Sequence, residues 1–387
     1  MPFFSFILNK NYLPSELGIF DSNTDILYRK RKYYCKNTKI WNMFSKKNNK
    51  FELDNLSFEN LISIKDRVNK VIFCIPPNIG LGDAIEYGLA FKAIEKKGLY
   101  ENISLAFCSR YYKILSNFIN PKKIYSDFVG EDQMNEYKNL FHFTSEIESL
   151  KLQKYQRKNI ELNINKFFNV SNYRPSIKKL KNKISRISIF PISKSPIRTL
   201  SVDLINDINK YLLDKNYVVD LVLGDNDLTS SFFLENLKTN LINIHNPSNL
   251  SELNNYIKNI EIGIFCDSGP LHLAKIYRKK GLLISTSVDS NNILNKEDNI
   301  VFYNSEFESE YCSAPCGLTN IINLDNQHGC FNTLKKNKNY VFHKSNISLL
   351  NRGNLEKSYK NFVENPVGCV KSIKFENIRT FIDQLIR

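Results

Sequence analysis

No run of 18 or more apolar residues occurs in the 387-residue chain, so the sequence predicts no transmembrane helix. The opening MPFFSFILNKNYLP carries a short apolar patch but lacks the basic n-region and small-residue cleavage site of a signal peptide. The expectation is therefore a cytoplasmic protein. Glycine and proline are sparse, 14 and 12 residues, beside 27 Phe and 20 Tyr; most of these aromatics are expected in the core. The eight cysteines are too few in a chain this long to form the disulfide framework of a small secreted domain. Cys74 and Cys266 fall within apolar strand patterns, where a thiol is usually a small buried hydrophobe. Several nucleotide-binding signatures are also missing. The segment GLGDAI lacks the third glycine of a dinucleotide fingerprint, and no Walker lysine stands beside a serine or threonine. No zinc finger, RRM or glycine-arginine segment accompanies the lysines, and no repeat of solenoid spacing is found.

What is present is material for two cores. At 387 residues, 42% hydrophobic and 24% charged, the chain exceeds one ordinary domain and fits two folded ones with a cleft expected between them. The formal charge of +15 attracts phosphates in general, but the lysines are spread from Lys10 to Lys374. Such a surface suits an anionic membrane or a negatively charged glycolipid as well as nucleic acid.

Residues 1–66 read as an N-terminal extension of unassigned role, aromatic and basic at YRKRKYYCKNTK (28–39) and FSKKNNK (44–50). Alternation of strand and helix patterns then begins. VIFCI (71–75) and ISLAF (103–107) read as buried parallel strands flanking a helix whose stripe is Ile85, Leu89 and Ala93, with Ala90 and Ile94 beside it. Apolar periodicity lapses over SNYRPSIKKLKNKISR (171–186), so the first domain is placed at 67–180. A second alternation follows through ISIF (187–190), YVVDLVLG (217–224), LINI (241–244), EIGIFC (261–266) and GLLIS (281–285), giving a second domain at 181–350. The tail, 351–387, ends in a helix with Ile378, Ile382 and Ile386 spaced four apart. Successive βα units of this kind predict α/β lobes of Rossmann-like form, with parallel sheets that bind ligands at the carboxyl ends of their strands.

Four loops at such strand ends carry candidate chemistry. In PPNIGLGDAIEYG (76–88), Gly80 and Gly82 permit a sharp strand-to-helix turn, and Asp83 is either a helix cap or a carboxylate that takes a proton from a hydroxyl. In DSGPLHLAK (267–275), Asp267, Ser268 and Gly269 lead into a helix with Pro270 at its start, an arrangement whose free amides suit a phosphate. His272, in that first turn, can donate to the phosphate or orient Asp267, though a helical histidine is more often merely packed or solvent-facing. In PISKSPIRTLS (191–201), Lys194 or Arg198 can meet a diphosphate, with hydroxyl donors from Ser193 and Ser195. Asp225, after YVVDLVLG, can contact a ribose hydroxyl or simply form a turn. A separate cysteine group, Cys312, Cys316 and Cys330 with His328, could supply four ligands to a structural zinc, but its spacing is not among the commonest; free or locally packed thiols are the preferred reading.

Gly82-Asp83 and the run from Asp267 to Ala274, each at the end of a strand in successive α/β units, resemble glycosyltransferase family 9, the lipopolysaccharide heptosyltransferase-like group. The resemblance covers about residues 70–340 and is most specific in the second motif. It implies a GT-B architecture with acceptor binding on the first lobe and nucleotide-sugar binding on the second. Asp83 matches the family's catalytic base, Lys194 and Arg198 lie where basic residues meet the diphosphate, and Asp267 with the turn after it matches the donor motif. The implied activity is inverting, metal-independent and without cofactor: transfer of a sugar from a nucleotide-sugar, ADP-heptose being the donor suggested, to a saccharide or glycolipid in cell-surface polysaccharide synthesis. A location at the inner face of the membrane would suit the basic surface. The alternatives are a non-catalytic nucleotide-sugar or carbohydrate-binding protein of the same fold, a nucleic-acid-binding protein, or another GT-B-like enzyme such as an epimerase.

Overall fold

The computed structural model describes residues 4–9, 19–21, 26–28, 70–75, 79–106, 112–125, 137, 139–144, 159–175, 184–224, 228–324, 327–334 and 352–387. The chain divides into two compact units, Met1–Arg174 and Pro175–Arg387. Cys35, Cys108, Asp225 and, apart from Tyr28, both basic N-terminal segments lie outside the described residues.

In the first unit the strands are β1 (Phe4–Asn9), β2 (Ile19–Asp21), β3 (Ile26–Tyr28), β4 (Lys70–Cys74), β5 (Asn102–Ala106), β6 (Ile124–Tyr125) and β7 (Asn139–Thr144). The helices are α1 (Leu81–Lys97), α2 (Tyr112–Leu115) and α3 (Ile160–Phe167). The main sheet has the order β1-β7-β4-β5-β6. All its pairs are parallel except β1 with β7, so Phe4–Asn9, within the segment read as an extension, adds an antiparallel edge strand. An antiparallel edge on an otherwise parallel sheet is common. Helix α1 is buried well beyond the expected stripe: every residue from Ala84 to Phe91 is covered, as are Ala93 and Ile94. The reason is its setting. It packs against both α2 and α3, and a helix covered on several sides must be apolar around most of its circumference. The close approach is visible at Gly88, where an added Cβ would stand 2.4 Å from the Phe118 ring. Glu86, buried in the same helix, accepts the Ile160 amide at 2.9 Å and so satisfies a free donor at the start of α3. Phe73 of β4 stacks on Phe91 at 4.5 Å between ring centroids, with Tyr100 and Phe168 edge-on.

The second unit is built on β8 (Arg186–Phe190), β9 (Val218–Val222), β10 (Asn243–His245), β11 (Ile262–Phe265), β12 (Lys280–Ser285) and β13 (Ile300–Asn304). These form one sheet of six strands in the order β10-β9-β8-β11-β12-β13. Every pair in it is parallel. The helices are α4 (Val202–Asp214), α5 (Leu228–Asn236), α6 (Leu250–Asn259) and α7 (Gly269–Ile276), with a 3-10 turn at Pro196–Arg198. The short pairs β14 (Glu308–Ser309) with β15 (Cys312–Ser313) and β16 (Ile322–Leu324) with β17 (Gln327–Gly329) follow. Helices α8 (Arg352–Glu364), α9 (Gly368–Lys371) and α10 (Phe375–Ile386) end the chain. The sheet starts in its middle at β8, runs outward through β9 to β10, then returns to the other side of β8 with β11. That reversal is the topological switch point, where the loops after β8 and β11 separate to opposite faces and leave a ligand-binding crevice.

The sequence patterns explain the packing. Strand β8 is buried from Ile187 to Phe190, as a central strand covered on both faces must be. Helix α4 buries Leu204, Ile205, Ile208 and Leu212 and is capped by Ser201, whose Oγ accepts the Leu204 amide at 3.4 Å. The tail belongs to this core. Ile378, Ile382 and Leu385 of α10 are buried with Ile187, Val219 and Leu282 of the sheet, and Asp383 accepts from Tyr211 and, at 2.9 Å, from Lys215 of the α4 region.

Candidate functional site

The loops after β8 and β11 lie on adjacent parallel strands, and the Cys266 amide extends their ladder by donating to the Phe190 carbonyl at 3.1 Å. Beyond that bond the two loops meet again through charge. Arg198, last residue of the 3-10 turn, donates through Nη1 to the Asp267 carboxylate at 2.9 Å and to the Asp267 carbonyl at 3.3 Å. The pair is largely buried, with side-chain exposures of 20% for Arg198 and 8% for Asp267. Burial disfavours the guanidinium charge, but the adjacent Asp267 carboxylate outweighs it and holds the Arg198 pKa above its ordinary value. Arg198 therefore neutralises Asp267, while Lys194, on the same loop, stays exposed with its charge toward solvent.

Helix α7 begins at the same place. Ser268 is its N-cap residue in extended conformation, yet its side chain makes no capping bond; Ser268 Oγ donates instead to the Cys266 carbonyl at 3.4 Å. The Ser268 side chain thus leaves the first-turn amides uncapped, and Pro270 has no amide to satisfy. His272 stands partly buried within that turn. A helix start with uncapped amides at the switch point, next to an arginine and an exposed lysine, is a setting that favours an anion.

Buried hydroxyls line the strand ends. Ser195 Oγ and Ser287 Oγ are buried with no hydrogen-bond partner among the described residues, as is Arg198 Nε. Such groups are rare in folded proteins, and a bound ligand is one way to supply their partner. Ser193, in contrast, is used internally: its amide donates to Thr199 Oγ1 at 3.1 Å and its hydroxyl accepts the Ser195 amide at 3.4 Å. Thr286, after β12, donates to the Ile197 carbonyl at 2.7 Å and ties a third strand end to the 3-10 turn. Thr199, Thr286, Ser287 and Tyr359 were not singled out from sequence. Thr286 and Ser287 follow the strand GLLIS and had the same positional signal as Asp267; nothing local marks Tyr359.

In the first unit, Gly80 is the N-cap of α1 and its amide donates to Asp83 Oδ2 at 2.9 Å. Asp83 is thus engaged with the helix start from the third helical position, not as the N-cap residue itself, and it remains partly exposed after β4. Gly82 sits in the first turn beside it.

The zinc alternative is not assembled. Among the described residues no group of three or more His, Cys, Asp or Glu side chains is arranged to hold a metal ion. His328 Nδ1 pairs with Ser358 Oγ rather than joining the cysteines. The thiols do gather, with a different fourth member: Cys312 shares a hydrogen bond with Cys316, and Cys330 and Cys369 lie near enough to act on it electrostatically. The Cys312 pKa is raised, first by the bond to Cys316 and then by burial. Burial, followed by Cys316 and Cys330, pushes Cys369 up to about 12. The Gly317 amide donates to the Ser287 carbonyl at 2.7 Å, so this thiol-bearing loop abuts the strand ends described above.

The fold is similar to that of solved glycosyltransferase family 9 and heptosyltransferase structures. The glycosyl transferase family 9 protein from Veillonella parvula superposes with a TM-score of 0.51 at 12% identity, over 83% of this chain and 98% of that one. The heptosyltransferase TibC, described as dodecameric, iron-containing and bound to ADP-D-beta-D-heptose, gives a TM-score of 0.51 at 12% identity, over 83% of this chain and 76% of that one. At such identity the likeness establishes the fold. No family model and no curated protein matches the sequence. The iron named for TibC finds no arranged set of ligands among the described residues here. No helix among the described residues is long and apolar enough to cross a membrane.

Proposed function

We propose that this chain is an inverting glycosyltransferase that binds a nucleotide-sugar at the carboxyl edge of the second unit's sheet and passes the sugar to a saccharide or glycolipid hydroxyl. The observation that carries the reading is the meeting of the Arg198–Asp267 pair with the uncapped start of α7 at the switch point between β8 and β11. An isolated carboxylate there would repel a diphosphate. With Asp267 neutralised by Arg198, the amides of α7 and the free charge of Lys194 are left to hold it, and Ser195 and Ser287 supply hydroxyl donors. Asp267 retains lone pairs for sugar hydroxyls, and His272 is placed to support the turn.

In the transfer, the acceptor oxygen attacks the anomeric carbon from the face opposite the diphosphate, and the bond from that carbon to the diphosphate oxygen breaks. Asp83 accepts the proton of the attacking hydroxyl, with Gly80 and Gly82 leaving room for backbone to approach the acceptor; this general-base role contributes about 10² to 10⁴ in rate. Negative charge collecting on the departing diphosphate is met by groups already in place, namely Lys194, Arg198 and the helix amides, so the reaction as proposed requires no metal ion. A heptose carried on ADP is the donor favoured by the family resemblance. The net charge of +15 fits an anionic glycolipid acceptor and peripheral contact with an anionic membrane surface.

The test is a thermal-unfolding screen against ADP-heptose and a panel of other nucleotide-sugars, followed by product analysis with the donor that protects. A donor at about 100 times its Kd adds about 2.7 kcal/mol of stability. Protection by none of them refutes the reading. Protection without transfer to any acceptor would leave the non-catalytic alternative. With the active pair in hand, Asp83→Asn should keep donor binding and lose turnover by about 10² to 10⁴; an unchanged kcat removes Asp83 as the base.

A further inference from the structure

The loop that carries Ser193, Lys194 and Arg198 is held from a part of the chain about which the sequence patterns say nothing. Tyr359, on α8, donates its hydroxyl hydrogen to the Ser193 carbonyl and stands 3.3 Å from Thr199 Oγ1. Thr199 is buried and closes the loop on itself. Its Oγ1 receives the Ser193 amide at 3.1 Å and lies 3.1 Å from the Ser195 carbonyl and 3.3 Å from the Ser193 carbonyl, either of which can take its proton. A second hold acts on the residue just before Arg198. The side chain of Ile197 is buried among Phe362 of α8 and Cys369 and Val370 of α9, while its carbonyl accepts from Thr286. Arg198 can vary its direction only by its own side-chain rotations, because the backbone on either side is fixed.

We propose that Tyr359 is a positioning residue for the diphosphate subsite: it sets the Ser193–Thr199 loop and thereby the reach of Lys194 and the Arg198–Asp267 pair, so that the C-terminal helix is part of the donor-binding apparatus. The inference rests on the donor-site reading above. It also explains a chemical detail. A phenylalanine would fill the same space on α8 but would leave the Ser193 carbonyl with only the long bond from Thr199 Oγ1, at 3.3 Å, and would release α8 from the loop.

The experiment compares the full-length wild type with Tyr359→Phe, Arg198→Ala and the double variant, titrating ADP, GDP, UDP and CDP by calorimetry and recording each Tm. If the wild type binds none of the four, the donor-site reading fails. Given binding, Tyr359→Phe should weaken the bound diphosphate about fivefold, and KM for the corresponding nucleotide-sugar should rise with kcat within about twofold, since the loop acts on binding more than on proton transfer. In the Arg198→Ala background the same change should have less than half that effect, because the two act through one loop. An unchanged Kd for Tyr359→Phe, or a fall in Tm with the Kd retained, would mean that Tyr359 only packs. Full additivity with Arg198→Ala would also overturn the proposal.

Discussion

Replacing Arg198 with alanine and Asp267 with asparagine should move diphosphate affinity unequally, because the two changes alter the local charge in opposite directions. In the folded chain the guanidinium sits 2.9 Å from the carboxylate, with both side chains mostly covered. Arg198→Ala removes the cation and leaves a carboxylate facing the anion. Two unit charges about 6 Å apart at an effective dielectric constant of about 20 interact by about 3 kcal/mol, so affinity for the nucleoside diphosphate should drop about a hundredfold. Asp267→Asn removes the anion instead and frees the full charge of Arg198, so affinity should stay within about threefold or improve. Both variants break a buried pair; partial exposure of Arg198 places the loss of stability near the low end of the usual range, about 3 kcal/mol. Calorimetry with the diphosphate that binds the wild type, repeated at low and high salt, distinguishes the effects, since the Arg198→Ala deficit comes from a mostly covered carboxylate and should persist at high salt. Equal losses for the two variants at both salt concentrations would refute the neutralisation argument and imply direct contact of Asp267 with the nucleotide.

Other outcomes test the packing. Gly88→Ala should destabilise the first unit by about 1 to 3 kcal/mol, because its Cβ would lie 2.4 Å from the Phe118 ring; an unchanged Tm would show that α1 and Phe118 separate at little cost. Burial pushes the thiols of Cys266 and Cys369 up to about 12, so each adds stability that is fully present below the unfolded thiol pKa of about 8.5 and is lost as pH rises toward the folded value. By pH 10 the loss should be about 2 kcal/mol per thiol, and Cys369→Ser should remove its share from a comparison of urea midpoints at pH 7 and 10. Identical pH dependence in the variant would show that Cys369 ionises freely in the folded chain.

The strands and helices of the second unit were legible because each is a local pattern. Ile187 to Phe190 and Ile262 to Cys266 read as buried strands, and Leu204, Ile205, Ile208 and Leu212 as one helix face, since apolar residues at fixed periods have few other ways to be covered. The α1 stripe was under-read. Periodicity reports one buried face, and neither the cover supplied by α2 and α3 nor the buried Glu86 can be seen from the helix itself. Gly82-Asp83 and the Asp267–Gly269 turn were visible as strand-end motifs, whereas the choice between Lys194 and Arg198 was not.

By itself the sequence determined the alternation of elements and the loops able to carry charge, all properties of residues within a few turns of one another. Tertiary structure decided which of those loops meet. It set β8 beside β11, so that Arg198 reaches Asp267 across 69 residues. Tyr359 was brought to Ser193 across 166, and Cys369 rather than His328 was placed among the thiols. Such pairings depend on strand order and on how the tail packs against the sheet, and no periodicity along the chain records either.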